Sequence, residues 1–171
     1  MGQAMSQVQI TDQPNLRSDT YFIALGQGLC EYCGRATRLL GLALPAGHET
    51  LDVDADEPRQ EATDVWRRAD ALAFVFEVEA VSASVERRLR GFSSHYRREV
   101  GEHGERWLNH CEHCGAVQSD DALYCEPGGA FMPGSAAQAT AVELLECHEA
   151  FEAVAGGYSF EADHFEFMRR L

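Results

Sequence analysis

Between residues 71 and 81 apolar and polar positions alternate: Leu72, Phe74, Phe76 and Val78 fall on one side, Ala73, Val75, Glu77 and Glu79 on the other. A period of two predicts a β-strand with one face on a core and the other reaching water toward its end. From Ser82 the period changes, and Val85, Leu89, Phe92 and Tyr96 recur at steps of four, three and four, the stripe of an amphipathic helix whose far side carries arginines. Apolar runs predict further strands over 21–25 and 38–44, and Trp107-Leu108 predicts another. Pro58 suits the first residue of a helix running to about residue 69, with Val65 and Trp66 buried. Ser135 and Gln138 form a capping box for a helix over about 136–155, its apolar side made by Leu144, Leu145, Phe151 and Val154 and its end by Gly156-Gly157. Ser159 is the expected cap of a last helical turn or two containing Phe165, Phe167 and Met168.

These elements predict an α+β fold, a small antiparallel or mixed sheet with packed helices. Residues 1–19 are polar and without periodicity, which predicts a flexible N-terminal tail ahead of a single domain over 20–171. Within it a helical insert is expected over about 45–105 and C-terminal helices over about 136–171.

The strongest local signal is a near repeat. Cys30-Glu31-Tyr32-Cys33-Gly34 and Cys111-Glu112-His113-Cys114-Gly115 are each a Cys-x-x-Cys followed by glycine. Two such turns can close on one ion with four thiolates at the corners of a tetrahedron, the arrangement that a structural zinc prefers. The glycine after each pair supplies a positive φ that turns backbone N–H groups toward sulfur. We therefore expect one structural Zn2+ held by Cys30, Cys33, Cys111 and Cys114. A redox Cys-x-x-Cys opens a helix, whereas the first pair here runs into the strand pattern of 38–44. Disulfides are the other rival for six cysteines; no charged-then-apolar leader opens the chain, so a reducing cytoplasm is expected. Arg35, Arg38 and Arg106 lie close enough in sequence to offset the charge of a tetrathiolate centre, although solvated arginines beside a strand are an equal expectation.

Both turns have the form of zinc-ribbon and treble-clef knuckles. The span from Trp107 to Phe131, with His110-Cys111-Glu112-His113-Cys114-Gly115-Ala116-Val117-Gln118 and then Glu126-Pro127-Gly128-Gly129, resembles a group of uncharacterised bacterial proteins. The resemblance covers about 25 residues and implies a split zinc ribbon without an assigned chemistry. The split is wide, with 77 residues between Cys33 and Cys111. A metal there is expected to tie two ends of the core sheet together instead of building a free-standing finger.

Charge narrows the functional classes. The chain of 171 residues carries 28 acidic and 14 basic residues, a formal −14 at neutral pH, and every basic residue is an arginine. Such a surface repels nucleic-acid phosphate and anionic lipid and attracts basic protein surfaces. Glu49, Asp52, Asp54, Asp56, Glu57, Glu61 and Asp64 crowd one stretch with Arg59 alone among them, and Asp52, Asp54, Asp56 and Glu57 are the expected contact surface for a partner. Six arginines, Arg87, Arg88, Arg90, Arg97, Arg98 and Arg106, occupy twenty residues and are the place where a nucleic-acid-binding ribbon would make its contacts.

Other chemistry is sparse. Cys125, Cys147 and His148 are leftover soft ligands, and Cys125 with His103 or His148 is the one conceivable nucleophile pairing. Glu77 and Glu79 are paired carboxylates of a kind used in acid–base work. No phosphate-loop, dinucleotide, hydrolase-elbow or metalloprotease motif is present. The sequence thus leads to a non-catalytic, zinc-stabilised acidic protein that binds another protein, an inhibitor or immunity-type factor masking a basic site. The alternatives are an enzyme working in the 103–148 region and a nucleic-acid-binding ribbon using Arg87 to Arg106.

Overall fold

The computed structural model describes residues 13–52, 65–159 and 164–171. Its strands are β1 (Leu16–Ser18), β2 (Tyr21–Leu29), β3 (Ala36–Leu44), β4 (Glu49–Asp52), β5 (Val65–Arg68) and β6 (Ala73–Val81). After helix α1 (Ala83–Phe92) come β7 (Tyr96–Gly101), β8 (Gly104–His110) and β9 (Val117–Gln118). A π-helical turn (Asp121–Cys125) and the short helix α2 (Ala136–Ala139) lead to β10 (Glu143–Cys147) and β11 (Phe151–Tyr158). A 3-10 turn (Phe165–Phe167) and β12 (Arg169–Arg170) close the order.

Among the described residues these strands form a nine-stranded sheet in the order β12-β10-β2-β3-β6-β11-β1-β4-β5 and a three-stranded sheet β7-β8-β9. The large sheet is mixed, because β10 and β12 run parallel while its other pairings are antiparallel. Its central strands are covered on both faces, which is why they read as continuous apolar runs. On one face Tyr21, Ile23, Leu40, Leu42 and Val75 pack under Val85 and Leu89 of α1 and under Tyr96 and Trp107 of the small sheet. On the other, Phe22, Ala24, Leu39, Ala43 and Phe74 meet Leu123, Tyr124, Phe131 and Met168. Among the described residues no helix is long and apolar enough to cross a membrane.

The α+β expectation with packed helices is therefore corrected: the described residues are mostly β, with one helix of appreciable length among them, α1. The expected helical insert over 45–105 holds β4, β5, β6 and β7 beside α1. Tyr96, the last position of the predicted helical stripe, starts β7 after the chain extends at Ser93. Of the expected helix over 58–69, residues 58–64 lie outside those described, and Val65–Arg68 pairs with β4 as a strand.

The helix expected over 136–155 stops at Ala139, although Ser135 does cap it by accepting the N–H of Gln138. The chain continues as two strands, β10 and β11, where the rest of that helix was expected. Burial in β11 alternates, with Phe151, Ala153 and Ala155 inside, a period of two that alanine's helix preference masks in sequence. Gly156 and Gly157 belong to this strand instead of ending a helix. A Cβ at Gly157 would overlap the Phe76 ring and one at Gly156 the Glu77 carboxylate, so both glycines make room for side chains of β6. Ser159 accepts the N–H of Phe74, residues 160–163 lie outside those described, and the described turn beyond them is the 3-10 turn, with His164 at its N-terminal cap.

At the other terminus residues 1–12 lie outside those described, but Leu16–Ser18 of the expected tail forms β1 between β11 and β4, with Leu16 fully buried.

Candidate metal centre

The β2–β3 hairpin carries the first Cys-x-x-Cys at its turn, and the β8–β9 hairpin carries the second. The two turns are built alike. Cys30 N–H donates to the Arg35 carbonyl at 2.9 Å and Gly34 N–H to the Cys30 carbonyl at 2.8 Å; Cys111 N–H donates to Ala116 at 2.8 Å and Gly115 N–H to Cys111 at 2.9 Å. Gly34 and Gly115 take φ of 70° and 74°, the left-handed conformation that closes each turn at little cost only for glycine.

The four sulfurs of Cys30, Cys33, Cys111 and Cys114 all lie within 4.8 Å of one another. Cys30 to Cys114 and Cys33 to Cys111 are each 3.7 Å, and all four are free thiols. A tetrahedral ion with sulfur at about 2.3 Å requires S···S edges of about 3.8 Å, so the cage has the dimensions and the donor set of one four-coordinate metal. Such a group of potential ligands occurs once among the described residues, and it is this one. Cys125, Cys147 and His148 take no part; Cys147 is buried in the apolar core.

The cage is prepared for negative charge. The Cys33 N–H, against the effect of burial and helped by the Tyr32 N–H and the Gln118 amide, draws the Cys30 thiol down to about 6. Burial raises Cys111, yet the N–H groups of Cys114 and His113 outweigh it and leave this thiol lowered too. Cys114 receives the Ala116 N–H, which lowers it, but burial and the three neighbouring sulfurs prevail and hold it up at about 11. Four thiolates this close need a cation to ionise together.

The residues between the second pair of cysteines pin it to β3. Glu112 accepts the Arg38 N–H at 2.8 Å and the Arg38 guanidinium at 3.3 Å, while its own N–H donates to the Thr37 hydroxyl at 3.1 Å. His113 Nε2 lies 2.9 Å from the Ala36 carbonyl, which explains why this histidine is no ligand. Below the cage, β3 pairs with β6 only over Leu42–Leu44, and there the buried Asn109 takes over the free groups of Leu40. Of the arginines expected to offset the centre, Arg38 acts through Glu112 and Arg106 pairs with Glu77 at 3.4 Å; Arg35 contributes its carbonyl. The positioning residues Thr37, Asn109, Glu112 and Gln118 were missed in sequence. The one signal that pointed to them is a polar residue, Asn109, inside the apolar approach to Cys111.

The partner residues expected from the acidic tract are described only in part. Asp52 is the last residue of β4, opposite Val65, whereas Asp54, Asp56 and Glu57 lie outside the described residues. Glu49 of the same tract is already engaged by Arg17 at 2.6 Å. The arginine-rich stretch is also engaged: Arg88 pairs with Glu149, Arg90 with Glu86, Arg98 with Glu105 and Arg106 with Glu77.

A second group of ionisable side chains surrounds a cavity of about 300 Å³ between the two sheets, lined by Glu77, Glu99, His103, Arg106 and Asp120 among others. Glu77 holds a left-handed φ of 52°, unusual for its type, and its N–H donates to Asp120 at 2.8 Å. Burial pushes the Asp120 carboxyl up to about 6. Cys125 lies off this cavity, so the structure does not place it beside His103 there.

Searches of family models, of curated proteins and of solved structures found no match to this chain.

Proposed function

We propose that this chain is a non-catalytic, zinc-stabilised acidic protein of the cytoplasm that acts by binding another protein with a basic site, in the manner of an inhibitor or immunity-type factor. The observation that carries the reading is the completeness of the cage. Four cysteines fill all four tetrahedral positions and leave none for water or substrate, the mark of a structural and not a catalytic zinc. Zinc is favoured over other soft metals by the all-thiolate donor set and tetrahedral spacing. The formal charge of −14 supplies long-range attraction to a cationic partner. Four of the six clustered arginines are paired with carboxylates, which weighs against the nucleic-acid reading.

The test is capture of a partner on the immobilised, metal-loaded protein, followed by stopped-flow association of the purified pair. Association is expected to slow as ionic strength rises toward about 0.15 M, where the Debye length shrinks to about 8 Å. Neutralising Asp52, Asp54 and Asp56 together tests the acidic tract and is expected to slow association further. A partner that binds with no salt dependence would contradict the electrostatic reading.

The enzyme alternative is favoured by one observation, the strained Glu77 beside Asp120, whose carboxyl burial raises, at a cavity. It predicts a hydrolytic or proton-transfer turnover by the purified protein that both Glu77→Gln and Asp120→Asn abolish, and a broad substrate screen without such turnover rejects it.

A further inference from the structure

The metal turn presents apolar groups outward. Leu29 and Tyr32 flank Cys30 and are 73% and 77% exposed, on a backbone held by the cage and by the Gly34 turn. Large apolar side chains this exposed bury little surface within the chain, and aromatic anchors on an ordered turn are what binding surfaces use.

Leu29 also lines an open groove of about 260 Å³, together with Glu31 of the first turn, Gln118, and Glu126, Pro127 and Gly128 of the loop that follows the π-helical turn. Its acidic residues are Glu31 and Glu126, and no basic residue among those described lines it. Gln118 is 3.5 Å from Cys30 Sγ and donates to the Ala116 carbonyl at 2.8 Å, so the groove adjoins the cage itself. A divalent ion held by four thiolates would place a formal charge of about −2 there, adding to the two acidic residues. The volume falls just short of the roughly 300 to 1,000 Å³ of small-molecule sites, and suits one long side chain better than a metabolite.

We propose that the first metal turn is a docking surface for a partner protein that presents an arginine or lysine next to an apolar side chain. The cation enters the groove between Glu31 and Glu126, and the apolar neighbour packs on Leu29 and Tyr32. The proposal rests on the protein-binding reading above and gives it a contact surface made of residues other than those of the Glu49-to-Asp64 tract.

The experiment uses the zinc-loaded, 15N-labelled full chain titrated at low salt with acetyl-Leu-Arg-Leu-amide and, separately, with the same peptide carrying glutamine for arginine. The arginine peptide is expected to shift the amide signals of Leu29, Glu31, Tyr32, Gln118 and Gly128 at millimolar concentration, and the glutamine peptide to do so several-fold more weakly. Glu31→Gln with Glu126→Gln is expected to weaken the arginine peptide by roughly 3- to 10-fold, in line with two exposed ion pairs. Tyr32→Ala weakens both peptides. All three side chains are exposed, so these variants retain one zinc and the parent melting temperature, which separates lost binding from lost folding. Equal response to both peptides, shifts confined to other parts of the surface, or no shift at millimolar peptide each overturn the docking surface. A captured partner with salt-steered association that ignores Tyr32→Ala and Glu31→Gln overturns this surface and leaves the protein-binding reading standing.

Discussion

Asn109 holds Leu40 by both ends of its amide, with Oδ1 accepting the Leu40 N–H and Nδ2 donating to the Leu40 carbonyl, each at 2.8 Å. The side chain is buried, and it completes the edge of β3 where β6 has turned away, joining the sheet that bears the first metal turn to the strand that bears the second. Asn109→Ala removes two buried hydrogen bonds and strands both backbone groups of Leu40. A loss of about 2 to 4 kcal/mol in urea unfolding is expected. Asn109→Asp keeps the acceptor but loses the donor and buries a charge, so it should be no better than alanine at neutral pH.

The metal prediction rests on the cage. Cys30→Ser and Cys111→Ser should lose the zinc and with it cooperative folding, since the binding energy of a structural zinc, on the order of 10 kcal/mol, is folding energy. Cys125→Ser, outside the cage, should keep one zinc per chain by elemental analysis. A metal-free wild-type protein with an unchanged melting curve would sink the structural role.

The glycine pair in β11 gives a comparison of neighbours. Gly157→Ala drives a methyl into the Phe76 ring, which stacks on Tyr124 with centroids 5.4 Å apart and has little room to yield. A cost of about 2 to 3 kcal/mol is expected. Gly156→Ala meets the carboxylate end of Glu77, which can swing aside at the expense of its partly exposed pair with Arg106. That substitution should cost about 1 kcal/mol or less, and equal costs for the two would contradict this account.

Asp120 sets a pH dependence of opposite sign to the paired carboxylates. Burial raises it from 3.8 to about 6, so the folded protein holds this proton more tightly than the unfolded chain. Its contribution to stability is therefore full below pH about 4 and is lost as pH rises to about 6. Glu49 is lowered by Arg17, and Glu112 by the Arg38 N–H; their contributions are present above the unfolded value and lost as pH falls through the folded one. Asp120→Asn leaves these and the metal unchanged, so the difference between variant and parent isolates one group. Between pH 4 and 7 the variant should gain about 2 to 3 kcal/mol relative to the parent in urea unfolding. A constant difference across that range would show that Asp120 is not buried as described.

The four cysteines of the cage were legible in sequence because a Cys-x-x-Cys-Gly turn is a local solution: its geometry depends on five consecutive residues, and both copies carry all five. The strands expected over 21–25, 38–44 and 71–81, and the helix from Ser82, were legible for the same reason, since their periods are visible within ten residues, although β2 runs on to Leu29 and α1 stops at Phe92. Local pattern failed where two periods fit the same apolar residues. Leu144, Leu145, Phe151 and Val154 mark a helix face if the chain coils, yet these residues sit in β10 and β11 because β2 offers an edge to the first and β6 to the second. Leu16 looked like part of a polar tail for want of periodicity, and it is buried because β11 and β4 lie on its two sides. Backbone hydrogen bonds between strands far apart in sequence decide these cases, and no window of neighbouring residues contains them. The same holds for the support of the metal centre. The four cysteines by themselves specified which atoms form the cage, whereas the long-range bonds of Glu112 to β3 and of Asn109 to Leu40 support the meeting of the two turns.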